Sequence, residues 1–447
     1  VVNLTRRILL TIDAINVEPN GAVQVNSARS CRWLLEGEAV IVFDVVLAVC
    51  ALGLGAIAGY LLLVTAAAFA LRKKAVPNAA PIRIALVMPA HNEELQIGVC
   101  VRRALDADYP KDRFSVFVIA DNCEDRTAAE AESAGAMAFE RNQPELRGKG
   151  QAIDWFLREQ ANRLREFDAI ALVDADTKVD PAFLAEVSAS LNHSAVSVVQ
   201  GYHGVSNPDS NWRTALTYAG FALINGLRPA GRSCLGGTAD LKGNGMAFRT
   251  GLLLDYGWPA HSIVEDIEFS TRLLLDGIVV HFNPDAIAIS EMPASQAQAE
   301  PQRRRWESGR FDTVKTYVPK LLKAFARKPR WRYLDAILEL LVPPLSLFVL
   351  MQVAVLLFSL VVRPTWAPFF IATVGATMFY VVAGLYKMRA PAGVWRGLLL
   401  APLFLAWKIP FYLRLVRSKK PGGWERTQRQ AEVERDAQNP QGDRAGD

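Results

Sequence analysis

The sequence is poor in the residues that would make it a disulfide scaffold, a zinc protein or a reader of nucleic acid. Its 447 residues include five cysteines, at Cys31, Cys50, Cys100, Cys123 and Cys234, with no CxxC pair and no Cys/His metal spacing. They read as small apolar fillers. Charge is also sparse: 21% of the residues carry it and the net charge is +5, without the clustered basic stripe of a DNA or RNA reader. No nucleic-acid partner is expected, and the slight basic excess suits anionic lipid and an anionic nucleotide. There is no internal repeat, which excludes a solenoid or propeller. Residues 1–37 hold Arg6 and Arg7 but only a short apolar run, too weak for a secretory signal. They receive no role.

What is abundant is apolar. Hydrophobic residues make up 51% of the chain and mean hydropathy is positive, a balance that puts part of it in a bilayer. Val45 to Leu71 has no charged residue, and about 20 apolar residues suffice for a crossing helix. A transmembrane helix is expected within residues 38–72, its end held in the cytoplasm by Arg72, Lys73 and Lys74. Leu340 to Val362 and Pro364 to Tyr386 are further uncharged runs joined at Arg363, and Gly397 to Leu415 is another, interrupted by Lys408. Three full crossings here would carry Arg417, Lys419, Lys420 and Arg426 outside, against the positive-inside rule. A re-entrant or interfacial last segment keeps them in. Residues 338–416 therefore read as a membrane region of two or three spans, followed by a polar tail, 417–447. Ahead of it, 301–335 mixes Arg, Lys and aromatics as helices at a lipid surface do, with a solvated charged face as the alternative.

Residues 81–300 have another character, alternating short β-branched runs with amphipathic stretches, as in a doubly wound α/β domain with a mainly parallel sheet. Ile82 to Met88, Ser115 to Ala120, Ala169 to Val173 and Val196 to Gln200 are the candidate parallel strands. Glu94 to Leu105, Thr127 to Ala134 and Gly150 to Leu164 are the candidate helices. Ligands bind such sheets at the carboxyl ends of strands, and polar residues collect there. Pro89-Ala90-His91-Asn92-Glu93 follows the first run, Asp121 to Thr127 the second, and Asp174-Ala175-Asp176 the third. Two carboxylates one residue apart can hold Mg²⁺ or Mn²⁺ against a diphosphate, or simply solvate a strand end. Asp125 is explained by the helix start at Thr127, which leaves Asp121 for a ligand. The turn Arg147-Gly148-Lys149-Gly150 suits a phosphate or an ordinary helix start equally.

Together these residues resemble the inverting family 2 glycosyltransferases, with the GT-A (nucleotide-diphospho-sugar transferase) fold. The resemblance continues in order through Gly243-Asn244-Gly245, Glu265-Asp266 and Gln302-Arg303-Arg304-Arg305-Trp306, the last being the QxxRW signature of the membrane synthases of cellulose, hyaluronan, chitin oligosaccharides and poly-N-acetylglucosamine. It implies a membrane hexosyltransferase that adds glucose or N-acetylglucosamine from a UDP-sugar to a growing polysaccharide. Transfer to a polyprenyl-phosphate or other lipid acceptor is the alternative. It further implies a catalytic domain on the cytoplasmic face of a bacterial inner membrane, with exopolysaccharide export proteins as possible partners. Donor binding would fall to Pro89, His91, Glu93, Asp121, Lys149 and Asp174, with Asp174 and Asp176 holding the Mg²⁺ or Mn²⁺. Asp266 would be the general base; Glu265, Gln302, Arg305 and Trp306 would meet acceptor and diphosphate. Relatives often have Thr where this chain has Val264. Gln302, Arg305 and Trp306 share one helix face at i, i+3 and i+4, which leaves Arg303 and Arg304 to lipid or solvent. Taken alone, Glu265 and Asp266 are better explained as acidic residues of a first helical turn, and Trp258 reads as an acceptor contact or a core residue.

Overall fold

The computed structural model describes residues 15–17, 23–25, 27–70, 80–259, 264–293 and 295–417. The basic flank Arg72 to Lys74, much of 1–37 and the tail past 417 lie outside them. The chain divides into two compact units, Val1–Ala58 with Val349–Ala376, and Gly59–Phe348 with Thr377–Asp447.

The first unit holds a short antiparallel hairpin, Ile15–Val17 with Val23–Val25, and parts of three apolar helices that continue into the second. Among the described residues, Val40–Ala70, Leu345–Val362 and Pro364–Lys387 are long and apolar enough to cross a membrane, with 31, 18 and 24 residues. Their few polar groups are paired, as low dielectric demands. Asp44 accepts from Arg363 at 2.8 and 2.7 Å and from Trp366 Nε1 at 3.0 Å, and Gln352 donates to the Thr373 carbonyl at 3.0 Å.

The second unit is an α/β domain. In chain order it begins with β1 (Ile84–Ala90), α1 (Ile97–Leu105), β2 (Phe114–Asp121), α2 (Thr127–Ser133), β3 (Met137–Arg141), α3 (Lys149–Glu159), β4 (Ala169–Leu172) and β5 (Thr177–Val179). It continues with α4 (Phe183–Leu191), β6 (Val198–Val205), α5 (Trp212–Phe221), α6 (Arg228–Cys234), β7 (Met246–Arg249), α7 (Glu265–Leu275) and β8 (Val280–Ser290). After the sheet come α8 (Gln296–Arg327), α9 (Trp331–Leu341), α10 (Ala392–Leu398) and α11 (Ala401–Arg417). The last two form an apolar pair bent by 61°.

The eight strands lie in the order β3-β2-β1-β4-β7-β6-β8-β5. β1, β2, β3 and β4 are mutually parallel where they pair, and β6 pairs parallel with β8. β1 and β2 are apolar on both faces because helices cover both sides. Ile97 and Val101 of α1 and Phe183 and Val187 of α4 pack on Leu86, Val118, Ala171 and Val199, each such side chain contributing about 1.5–3 kcal/mol on burial. The sheet is mainly parallel, as expected, but mixed, since two strands run against the other six. β7 runs antiparallel to both β4 and β6, and β5 is antiparallel to β8. The four expected strands do share one direction, but β7 is inserted among them. The space is tight: a methyl group on Gly201 of β6 would meet the carbonyl oxygens of Ala286 and Gly245, so only glycine fits.

Candidate active site

The strand ends β1, β2 and β4 turn into loops that are tied to one another. Asn92, two residues past β1, and Asn122, directly after β2, take φ of 54° and 50°, a left-handed geometry that Asn tolerates. Asn92 Oδ1 accepts from Glu124 N at 2.8 Å, and Glu93 N donates to Thr127 Oγ1 at 2.8 Å. Asp125 accepts from the Thr127 amide at 3.0 Å, which is the local helix-start role. His91 Nδ1 lies 2.7 Å from the Asp121 carbonyl. The Asp121 carboxylate is buried and bonded at 2.5 Å to Arg141. Burial raises its pKa, against the lowering influence of Arg141. Pro89 is the penultimate residue of β1 and sits opposite Ile119.

Lys149 opens α3 after Gly148, whose φ of 124° needs glycine. Its ammonium pairs with Asp174 and donates to the Gly243 carbonyl. Burial pulls the Lys149 pKa down, but Asp174, Glu265 and Asp266 together hold it above its usual value. The turn at Gly243 and Gly245, with φ of 73° and 66°, presents Asn244 inward. Asn244 is fully buried; its Oδ1 accepts from Asp174 N at 3.2 Å and its Nδ2 donates to Thr177 Oγ1 at 2.6 Å and Ser290 Oγ at 3.1 Å. Thr177 Oγ1 in turn reaches Asp176 at 3.2 Å. His203 lies 3.2 Å from Ser290 Oγ, and burial drives its imidazole down to about 4, which keeps it neutral. A polar net thus fixes the backbone under both aspartates.

Glu265 and Asp266 begin α7. A methyl group on Gly243 would stand 3.5 Å from an Asp266 carboxylate oxygen and 4.0 Å from Lys149 Nζ. Lys149, Asp174, the glycine turn and Asp266 therefore meet at one rim. Asp266 accepts from the Ile267 amide at 2.8 Å. Burial raises its pKa, which that bond, Lys242 and Lys149 oppose. Burial and the Asp266 charge push Glu265 up to about 7. Helix α8 comes in through Gly309, where an added methyl group would lie 2.7 Å from Val264 Cγ1. Gly309 lies on the stripe of Gln302, Arg305 and Trp306, so that stripe turns toward the start of α7. Val264 occupies this contact with its methyls. Trp306 is 38% exposed, with its ring 6.0 Å from Phe221.

No group of three or more His, Cys, Asp or Glu side chains with the spacing of a metal site is present among the described residues. Asp174 and Asp176 offer two half-buried carboxylates at a strand end. That donor set fits a hard divalent ion whose coordination is completed by phosphate oxygens and water.

Two expectations change, and one open alternative is resolved. Trp258 is 1% exposed and packs on Phe269 and Phe248 at 4.6 and 6.1 Å: it is a core residue. Arg303 does not face lipid or solvent, since it donates to Thr217 Oγ1 at 3.1 Å and lies 5.3 Å from the Phe404 ring. Gly150 to Leu164 is two helices, broken at Gln160. Sequence reasoning also passed over Arg141, Thr177, His203 and Ser290. Their only local signal is that each is a polar residue within or at the end of a strand.

A family model described as Glycosyltransferase like family 2 matches residues 80–309. The beta-monoglucosyldiacylglycerol synthase of Trichormus variabilis is 28% identical over 271 residues, 58% of this chain and 56% of the relative. The protein of the same name from a Synechocystis strain is 28% identical over 53% of this chain and 49% of its own. The chain thus spans about half the length of the curated relatives it matches. Among solved structures, a mannosyltransferase from Pyrobaculum calidifontis in complex with GDP-Man and Mn²⁺ is 19% identical, over 76% of this chain and 98% of that one, with a TM-score of 0.48.

Proposed function

The chain belongs to the glycosyltransferase-like family 2, and from that premise we propose that it moves a hexose from a UDP-sugar to a lipid acceptor at the cytoplasmic face of the plasma membrane, inverting the anomeric centre. The observation that carries this reading is the meeting of Lys149, Asp174 and the Gly243 turn with Asp266 at one rim. One side of that rim can hold a diphosphate and the other can take a proton. His91, Glu93, Asp121 and Pro89 would frame the nucleotide, with Arg141 fixing the carboxylate of Asp121.

Asp266 would take the proton of the acceptor hydroxyl as its oxygen attacks the anomeric carbon opposite UDP. The bond from that carbon to the diphosphate breaks, its electron pair leaves with UDP, and Lys149 and Arg305 face the negative charge that develops. Asp174 and Asp176 would hold Mg²⁺ or Mn²⁺, which when bound supplies Lewis-acid stabilisation of the leaving diphosphate. Glu265, Gln302 and Trp306 would orient the acceptor, the indole by stacking on its apolar face.

The lipid acceptor is supported by the glycolipid-synthase names of the relatives, and no finding supports a partnership with export proteins. The polysaccharide reading remains the second one, since the QxxRW segment that motivates it is present at Gln302 to Trp306. The deciding experiment incubates the purified protein in diacylglycerol-containing nanodiscs with radiolabelled UDP-glucose or UDP-N-acetylglucosamine. Label in a chloroform-soluble glycolipid is expected; label only in water-soluble polymer overturns the acceptor assignment. In the same preparations Asp266→Asn should lose transfer by roughly a hundredfold or more while UDP affinity stays within about twofold. Asp176→Asn should lose both. Normal transfer by Asp266→Asn would return its acidic pair to a helix-start feature.

A further inference from the structure

Lys408 interrupts an otherwise apolar segment, and nothing in the proposed chemistry uses it. A lysine there is costly unless paired, and an ionisable residue in such a segment usually marks function. Its ammonium bonds Glu307 Oε1 at 2.5 Å, with the two side chains 4% and 12% exposed. Glu307 directly follows Trp306 on α8. The rings of Phe411 and Tyr412 lie 4.2 and 5.1 Å from the same ammonium, closing the pocket around it. Further along, Arg303 reaches the Phe404 and Trp407 rings of α11 at 5.3 and 5.9 Å, and Arg414 pairs with Glu300 at 3.6 Å. Glu300, Arg303 and Glu307 are spaced i, i+3 and i+7, so one stripe of α8 is held by α11 over two turns. The other end of the bent pair is fixed as well, because Gly397 of α10 closes on Ala215 of α5.

We infer that Lys408 is a positioning residue: by pinning Glu307 and seating α11 along α8, it sets the rotation of α8 that turns Gln302, Arg305 and Trp306 toward the acceptor. Trp306 and Glu307 are consecutive, about 100° apart around the helix. Fixing the Glu307 stripe therefore fixes where the indole points, and Gly309 against Val264 leaves little slack for another setting. The groups that would hold the bound nucleotide and diphosphate lie on α3 and at the ends of β1, β2 and β4, none of which Lys408 touches, whereas Arg305 is assigned to the charge that develops only in the transition state. A misplaced acceptor should reduce transfer and spare UDP binding.

This inference rests on the reading of the Gln302, Arg305 and Trp306 face as the acceptor side. Its test uses Lys408→Met, Glu307→Gln and the swap of Lys408→Glu with Glu307→Lys, each as the full chain. UDP affinity is measured on purified protein by calorimetry. Transfer from UDP-sugar is measured in native membranes, which supply whatever acceptor the protein uses. Each single variant should lose transfer by about tenfold to a hundredfold, as small misplacements do, with UDP affinity within about twofold of the parent. The swap should restore most of the loss. If the swap does not extract as folded protein, Lys408→Arg carries the same test, since it keeps the charge. Parallel loss of UDP binding, unchanged transfer in the single variants, or no rescue overturns the proposal. Extracting the same membranes with chloroform reports separately whether the product is a glycolipid, so a failed acceptor assignment is not confused with a failed positioning role.

Discussion

Glu265 has its pKa pushed up to about 7 by burial and by the neighbouring Asp266 charge, so it changes charge within the working range of an enzyme. Below that value it is neutral and can donate a hydrogen bond; above it, a second negative charge stands beside the base and the site of an anionic donor. We expect kcat/KM to decline as pH rises through about 7, and Glu265→Gln to keep the low-pH activity while flattening the decline. A pH–rate profile of both proteins checks this, and an unaltered decline in Glu265→Gln assigns it to another group. The raised value also costs stability. Between the ordinary carboxylate range and about 7 the folded chain holds a proton that the unfolded chain has released, so stability falls with rising pH there. Glu265→Gln should show a flatter melting-temperature profile across that interval. Neither effect is legible in the sequence alone, which shows the Glu265-Asp266 pair but not the burial that raises Glu265.

At the scale of elements, the parts found in sequence are the locally encoded ones. β1, β2 and β4 announce themselves by β-branched apolar runs, and α2 by its alanines after Asp125. What was missed is set by distant partners. β7 has four residues and is a strand only because β4 and β6 flank it, and β3 exposes much of its surface at the sheet edge. The carboxylate pairs were legible as motifs; the net of Asn244, Thr177, His203 and Ser290 beneath them was not. Another hidden feature ties α6 to α9: Arg232 pairs with Asp335 at 3.0 Å and with Asp240 at 2.8 Å, Arg228 pairs with Glu339 at 2.9 Å, and Tyr60 donates to Asp335 at 3.0 Å. These groups are almost fully buried, apart from Asp240. Removing one partner strands the other charge, at a cost of about 3–5 kcal/mol, whereas replacing both by apolar residues is often neutral. Arg232→Met should therefore lower the melting temperature clearly, and a further Asp335→Leu should recover part of the loss. A double variant less stable than the single one would mean that the carboxylate is held by other partners.

At the scale of the whole molecule, the paired charges among the apolar helices bear on topology. Asp44 lies near the start of the first apolar run and Arg363 at the joint between the second and third, and the two are bonded at 2.8 and 2.7 Å. Charges cluster at the ends of spans rather than at their centres, so that start and that joint belong on the same membrane face. We propose that each of the three apolar helices carries the chain to the other face. On that proposal residues 80–342 and the chain after Lys387 would share the opposite side, the cytoplasm if nucleotide sugar is to reach Lys149 and Asp174. The bent pair α10 and α11 fits this, being held along α5 and α8 by Gly397 and Lys408, so that it need not cross. We predict that, in a Cys234→Ser background, Thr365→Cys reacts with an impermeant maleimide added to intact cells, whereas Glu132→Cys on α2 reacts only after permeabilisation. Both positions are exposed, so access and not burial decides the outcome. Labelling of Glu132→Cys from outside would place the catalytic domain on the wrong side for a cytoplasmic donor and sink the assignment. Labelling of both from outside would break the argument from the Asp44–Arg363 pair as well, since the two sites could then not lie on opposite faces.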